Sequence, residues 1–387
     1  MAVDSSVAAT EHRGGPESGA SAAAPRQRWI DTVKGTAIVL VVLGHAYGLQ
    51  QEYGWQAHGL WNDVNILLGL WRMPVFMVVA GFFVTRSLEK YGRQYWRRRP
   101  LNMLWLFVVW TVVFAVSYLL IGAVSDTLTP GAKLAEWVHE TLTFDSYLWF
   151  LIALAVYYGL QAVVGPRPRI GVVLVALALY VLFVPGLVDK VSWGSNEVPQ
   201  HWLFFLAGAW GSSAIRARVP QIPVWQGLAW CVAFAVSLLL WMPTRDVPVL
   251  EHFTAAVPPL LGIPAGMWLL HLLDGRRGMG WARAAGSRSL PIYVLHAIIL
   301  QLLLGLMTRV AWPEAMGTVM LWAGPVLLTV LTVVVAQFLP AGHTLEPLYV
   351  FKIMAFMSIG WVCGGGLSVP ALKSFAKQLP ATVLFIV

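Results

Sequence analysis

Hydrophobic residues in this chain gather in long runs, broken by bases, prolines and glycines. The runs cover roughly 33–49, 64–85, 101–123, 146–164, 169–188, 201–215, 223–242, 253–273, 289–309 and 317–340. About twenty apolar residues cross a bilayer core as a helix, so the pattern predicts ten transmembrane helices. An eleventh run near 352–369 is interrupted by Gly364, Gly365 and Gly366, which leaves open a further span or an interfacial helix. The predicted fold class is an all-α polytopic membrane protein. Residues 28–345 form its membrane domain, and 346–387 form a C-terminal segment. Residues 1–27, rich in Ala, Ser and Gly and without apolar periodicity, are expected to be a disordered cytoplasmic tail.

Composition agrees with that pattern. The chain has 387 residues, 58% of them hydrophobic and 11% charged, where soluble domains carry about 25% charge. Its two cysteines, Cys231 and Cys363, both lie inside apolar runs and imply no disulfide framework. No CxxC, HExxH, Walker or GxGxxG pattern occurs, so no metal site or nucleotide fold is expected. Bases fall on alternate connections, eighteen on one side of the predicted membrane against four on the other. The positive-inside rule then places the N-terminus and the basic loops in the cytoplasm, as expected of a multi-pass plasma-membrane protein. The net charge of +8 is a topology signal and calls for no nucleic-acid partner.

Within the first run, WIDTVKGTAIVLVVLGHAYG (29–48), Lys34 and His45 stand eleven residues apart. That spacing is about three helical turns, so both share one face at roughly 16 Å separation. Asp31 lies one turn before Lys34 on the same face. Lys34 is placed at the cytoplasmic mouth and His45 near the midplane, a polar line into the protein. Ionisable groups inside spans are costly and commonly face a cavity or pathway. Arg72 lies inside the second run beside Met73-Pro74, so it should pair with an acid, a carbonyl or a substrate, or else snorkel to the outer surface. In the ninth run Ser289, Tyr293 and His296 form one helical stripe on the cytoplasmic half, either lining a pocket or packing helices.

These residues also carry a family resemblance. Lys34, ten intervening residues and His45 resemble the first helix of the acyltransferase family 3 membrane proteins. RMPVFMVVAGFFV (72–84) is similar to that family's second span, although Arg72 stands where a histidine or another residue is expected and Ala80-Gly81 replaces Ser-Gly. YGRQYWRRRPLNML (91–104), YLWFLIAL (147–154) and SRSLPIYVLHAIIL (287–300) resemble later family segments in the right order, so the likeness covers about residues 28–345. The nearest branch is the sugar O-acetylase-like one, which has no appended extracytoplasmic esterase-like domain.

The resemblance implies an O-acyltransferase moving an acyl group, acetyl above all, from acyl-CoA to a hydroxyl of a carbohydrate, lipid-linked sugar or other glycosylated acceptor. An alcohol is a poor nucleophile near neutral pH, and histidine titrates nearest that range, so His45 is the candidate general base. CoA carries several phosphate charges, which arginine forks pair with well. Lys34, Arg93, Arg97 and Arg98 are therefore the candidate donor-binding residues. The competing role for the arginines is topology anchoring against membrane lipids. Asp31, Arg72, Trp149, Ser289, Tyr293 and His296 complete the candidate pocket, although Trp149 equally suits packing or an interface belt. The alternative function is a secondary transporter of a small anionic metabolite, against which no inverted repeat or matched pair of broken helices is found.

Overall fold

The computed structural model describes residues 27–124, 130–184 and 193–338. Helices follow one another along the chain: α1 (Arg28–Glu52), α2 (Leu60–Gly81), α3 (Val84–Tyr91), α4 (Tyr95–Arg98) and α5 (Pro100–Val124). Then come α6 (Pro130–Leu142), α7 (Trp149–Val164), α8 (Ile170–Phe183), α9 (Trp193–Arg218) and α10 (Val224–Trp241). The last are α11 (Pro248–Ala255), α12 (Val257–Leu273), α13 (Gly280–Ser287), α14 (Ser289–Met307) and α15 (Glu314–Phe338). Among the described residues there is no strand.

Each of the ten apolar runs falls on one helix: α1, α2, α5, α7, α8, α9, α10, α12, α14 or α15. By length and hydropathy, six stretches of the described residues qualify to cross a membrane: Arg28–Glu52, Leu60–Ser117, Val224–Thr244, Pro248–Leu273, Ser289–Met307 and Glu314–Phe338. Leu60–Ser117 holds all of α2 and most of α5, while α7 and α8 are apolar but shorter. The helix α9 begins with polar positions such as Asn196, Glu197 and His201. A polytopic helical architecture is thus present, and the ten-span count is met only in part. The N-terminal tail before Gln27, the run near 352–369 and the segment 346–387 lie outside the described residues.

α1 is central, touching α2, α12, α13, α14 and α15. It gets that close through small residues, which let helix backbones meet where lipid offers no hydrophobic drive. A Cβ on Gly286 of α13 would fall 1.8 Å from the Asp31 carbonyl oxygen, and one on Gly35 1.7 Å from that of Ala282. The crossing of α2 and α9 is built alike, since a Cβ on Gly208 would meet the Val78 carbonyl oxygen at 1.9 Å. Asp274, just past α12, accepts from the Thr32 hydroxyl of α1 and from Arg283 of α13, tying that end together. Around this centre α14 is enclosed, every residue from Ile292 to Gln301 being buried. α10, by contrast, turns Trp225, Leu228, Val232, Val236 and Leu239 outward, the lipid-facing pattern.

Candidate active site

Two cavities share helices α1, α2 and α7. The first, about 340 Å³, is lined from α1 by Val41, Gly44, His45, Gly48, Leu49 and Glu52, and from α2 by Asn65, Arg72 and Met73. Glu140, Asp145, Ser146, Tyr147 and Trp149 close it from α6 and the start of α7. The second, about 280 Å³, is lined by Lys34 of α1, by Phe76, Val79 and Ala80 of α2, and by Arg99 and Met103 at the start of α5. Phe150, Leu154 and Tyr158 of α7 and Ser289, Leu290 and Tyr293 of α14 complete it. Along α1 the Lys34 cavity lies toward the helix N-terminus and the His45 cavity, which begins at Val41, toward its C-terminus.

Between them runs a stack of rings. Phe76 and Phe150 have centroids 5.0 Å apart, Phe150 and Tyr293 5.3 Å, Tyr293 and His296 5.9 Å, His296 and His45 5.0 Å, and His45 and Tyr147 5.0 Å. The His45 and His296 planes are tilted by 37°, and Tyr147 meets His45 edge-on. The Nδ1 atom of His296 lies 2.5 Å from the carbonyl oxygen of Tyr293, one turn earlier. That contact makes Nδ1 the donor and Nε2 the lone pair. Nε2 is buried without a hydrogen-bond partner among the described residues.

Tyr293 fixes this stack to α7. Its hydroxyl donates to the Tyr147 carbonyl at 2.7 Å and accepts from the Phe150 amide at 3.2 Å. The second bond satisfies one of the free N–H groups of the first turn of α7, which has no side-chain cap of its own from Leu148. Ser146 Oγ accepts from the Leu148 amide at 3.2 Å, so the segment carrying Tyr147 is held on both sides.

Arg72 does not snorkel. Its Nη1 donates to Asn65 Oδ1 at 2.7 Å, to the Leu40 carbonyl at 3.3 Å and to the Asn65 carbonyl at 3.5 Å. Carbonyl partners are therefore found, on α1 and two α2 turns back. Lys34 pairs with Asp31 at 3.3 Å and remains 23% exposed toward its cavity. Asp31 lines neither cavity, and Trp149 is buried against Phe150 and His201 while edging the His45 cavity. His296 joins the ring stack instead of lining the Lys34 cavity.

The basic run divides. Arg93, Arg97 and Arg98 are exposed, Arg98 lying over the Tyr91 ring at 4.9 Å. Arg99 alone of the four lines the Lys34 cavity, with Nη2 on Ser87 Oγ at 2.9 Å. The candidate set drawn from the sequence lacked Arg99, Tyr147, Asn65, Glu52, Glu140 and Asp145. Arg99 was legible as part of the basic run. Nothing in the spacing pointed to the three carboxylates, because they come from the end of α1 and from the α6–α7 segment. Among the described residues no group of three or more His, Cys, Asp and Glu is disposed to hold a metal ion.

A further cavity, about 440 Å³, is an open depression between Tyr53, Trp55, Trp312 and Glu314 at the far end of α1 and α14. There burial, then the Glu52 and Glu136 carboxylates, push the Tyr53 phenol up to about 12, so it stays neutral. Among the described residues this cavity has no basic side chain or imidazole in its lining, and it stands apart from the ring stack.

Comparison with known proteins follows the same segments. A family model described as "Acyltransferase domain" matches residues 27–339. The inner membrane protein YcfT of Escherichia coli (strain K12) is 25% identical over 326 residues, 76% of this chain and 87% of that protein. No solved structure matches the chain.

Proposed function

This chain belongs to the acyltransferase 3 domain family, and on that premise we propose that it is a plasma-membrane O-acyltransferase. It takes an acyl group, acetyl in the first instance, from cytoplasmic acyl-CoA and delivers it to a hydroxyl of a carbohydrate or glycosylated acceptor. The observation that carries this reading is the pair of cavities on opposite sides of the His45–His296 contact, sharing α1, α2 and α7.

The Lys34 cavity suits the donor. Its apolar walls match a pantetheine-like arm, and Lys34 and Arg99 supply cations for phosphate oxygens at one end. Arg93, Arg97 and Arg98, exposed nearby in sequence, offer further charge to the nucleotide end. The His45 cavity suits the acceptor. Glu52, Glu140, Asp145, Asn65 and Ser146 offer the hydrogen-bond partners that a polyhydroxy molecule requires. The reacting thioester must reach His45 past Phe76, Phe150 and Tyr293, and that thin ring layer is the place where donor and acceptor meet.

His45 then acts as general base. It removes the proton of the acceptor hydroxyl as that oxygen attacks the thioester carbonyl carbon, and returns it to the departing thiolate. The N-terminus and the loop from Arg86 to Arg99 face the cytoplasm, which makes the Lys34 cavity the inner one. The inner-membrane relative supports the location.

The function is tested by mass spectrometry of envelope glycans and glycolipids from cells with and without the gene. Loss of an acyl mass increment from one glycan class is expected; identical profiles, together with absent thiol release by purified protein from acetyl-CoA, would count against it. Two facing cavities also suit a transporter, which uptake of a small anion into vesicles without thiol release would reveal.

A further inference from the structure

We infer that Arg72 is the electrophilic partner of His45: its guanidinium receives the negative charge that develops on the thioester carbonyl oxygen during transfer. The inference rests on the acyltransfer reading above and goes beyond it by assigning a second group that touches the reacting atoms.

Placement comes first. Arg72 lines the His45 cavity from α2, opposite the α1 segment that carries His45. The approach is close because residue 44, next to His45, is glycine. A Cβ there would fall 2.6 Å from both Nη1 and Nη2 of Arg72 and 2.6 Å from Asn65 Oδ1. One turn further along α2, Phe76 already belongs to the lining of the Lys34 cavity. A carbonyl presented at the ring layer thus comes within reach of both His45 and the guanidinium.

The way Arg72 is held matters as much. Among the described residues its hydrogen bonds all run from Nη1, to Asn65 Oδ1 and to the carbonyls of Asn65 and Leu40. These acceptors are neutral, so they orient the fork without cancelling its charge. Among the described residues Arg72 has no carboxylate within ion-pair distance, and Nη2 makes no hydrogen bond. The Glu197 carboxylate acts on this cation only from beyond ion-pair distance, so the buried charge stays costly until a substrate group meets it. A donor fixed in advance toward developing charge, in a site of low dielectric, is the arrangement that stabilises an oxyanion.

The electron balance is complete. The acceptor O–H proton passes to His45 while the acceptor oxygen forms a bond to the thioester carbon. The carbonyl π pair moves onto the carbonyl oxygen, beside Arg72. As that pair returns, the C–S bond breaks, and the thiolate takes the proton from His45. Arg72 keeps its proton throughout.

The test uses full-length protein in lipid nanodiscs, with acetyl-CoA as donor and the envelope carbohydrate fraction of cells lacking the gene as acceptor. Thiol release is followed for wild type, Arg72→Gln, Asn65→Ala and His45→Gln. Arg72→Gln is expected to lower kcat by about 10²–10³, with half-saturation by acetyl-CoA and by acceptor changed less than about threefold. Asn65→Ala frees the guanidinium and should lower kcat in the same direction by a smaller factor, with the thermal midpoint preserved. It carries the test if Arg72→Gln does not insert, because an unchanged kcat there overturns the inference. Arg72→Gln at full kcat with a raised acceptor half-saturation also overturns it, making Arg72 a recognition residue for an anionic acceptor. Wild-type protein that transfers nothing overturns the function reading itself and this inference with it. Active wild type, inactive His45→Gln and fully active Arg72→Gln overturn this inference alone.

Discussion

Replacing Arg99 by alanine should raise the KM for acetyl-CoA more than replacing any of the three arginines before it. Arg99 lines the 280 Å³ cavity and is oriented by the Ser87 hydroxyl at 2.9 Å. A charge-assisted hydrogen bond in that setting contributes about 1.5–3 kcal/mol. Since about 1.4 kcal/mol is tenfold in an equilibrium constant, the expected rise is about 10- to 100-fold. Lys34 lines the same cavity but is 23% exposed and paired with Asp31 at 3.3 Å. Its removal gives up that pair as well, so an effect at the lower end of the range is expected. Arg93, Arg97 and Arg98 are exposed, where an ion pair is worth about 0–1 kcal/mol, and each alanine should raise KM less than about fivefold. Initial rates over a range of acetyl-CoA concentrations, with calorimetric titration of CoA onto each variant, would measure both columns of the comparison. Unchanged donor affinity in Arg99→Ala, with a large loss in the exposed three, would refute the assignment of the cavity and put the donor on the outer surface of the basic run.

Tyr293→Phe removes the hydroxyl that joins α14 to Tyr147 and Phe150. It should lower stability by about 1–3 kcal/mol, read as a fall in thermal midpoint, and lower turnover because Tyr147 loses its fixed place against His45; an unchanged midpoint would show those bonds to be dispensable. For topology, single cysteines at Gly92 and at Gly131, in protein with Cys231 and Cys363 replaced, should react with an impermeant thiol reagent from opposite sides of the membrane. Labelling of both from one side would overturn the segmentation between them, and with it the placement of His45 at depth.

Much of the architecture could be read from the sequence because bilayer thickness sets the length of an apolar run. All ten runs fall on helices, α7 and α8 being the short ones, and the ends agree within a few residues for α5, α10 and α14. Polar demand blurs the rest. α9 carries Asn196, Glu197 and His201, so its hydropathy understates its place in the bundle. At the site, helical spacing was enough to place Lys34 and His45 on one face of α1, and both do line cavities on that face. Pairing across helices was not readable. That His296 meets His45 at 5.0 Å depends on how α1 and α14 cross, which neither helix encodes alone. Arg72 was recognisable as an anomaly, but its partners Asn65 and Leu40 follow from the contact that Gly44 permits. The acidic lining of the His45 cavity, from Glu52 and from Glu140 and Asp145, gathers two distant chain segments and leaves no local signature.

The central claim is that His45 is a base and not a packing residue, and turnover of His45→Gln beside His45→Ala tests it most directly. Glutamine keeps a hydrogen-bonding side chain of similar reach but cannot take up the proton. Positioned general-base catalysis is worth about 10²–10⁴ in rate, so both variants should insert normally and bind CoA within about twofold of wild type. Both should then transfer acyl groups slower by that factor. Wild-type turnover in His45→Gln, with instability in His45→Ala, would contradict the claim and leave His45 as part of the ring stack alone.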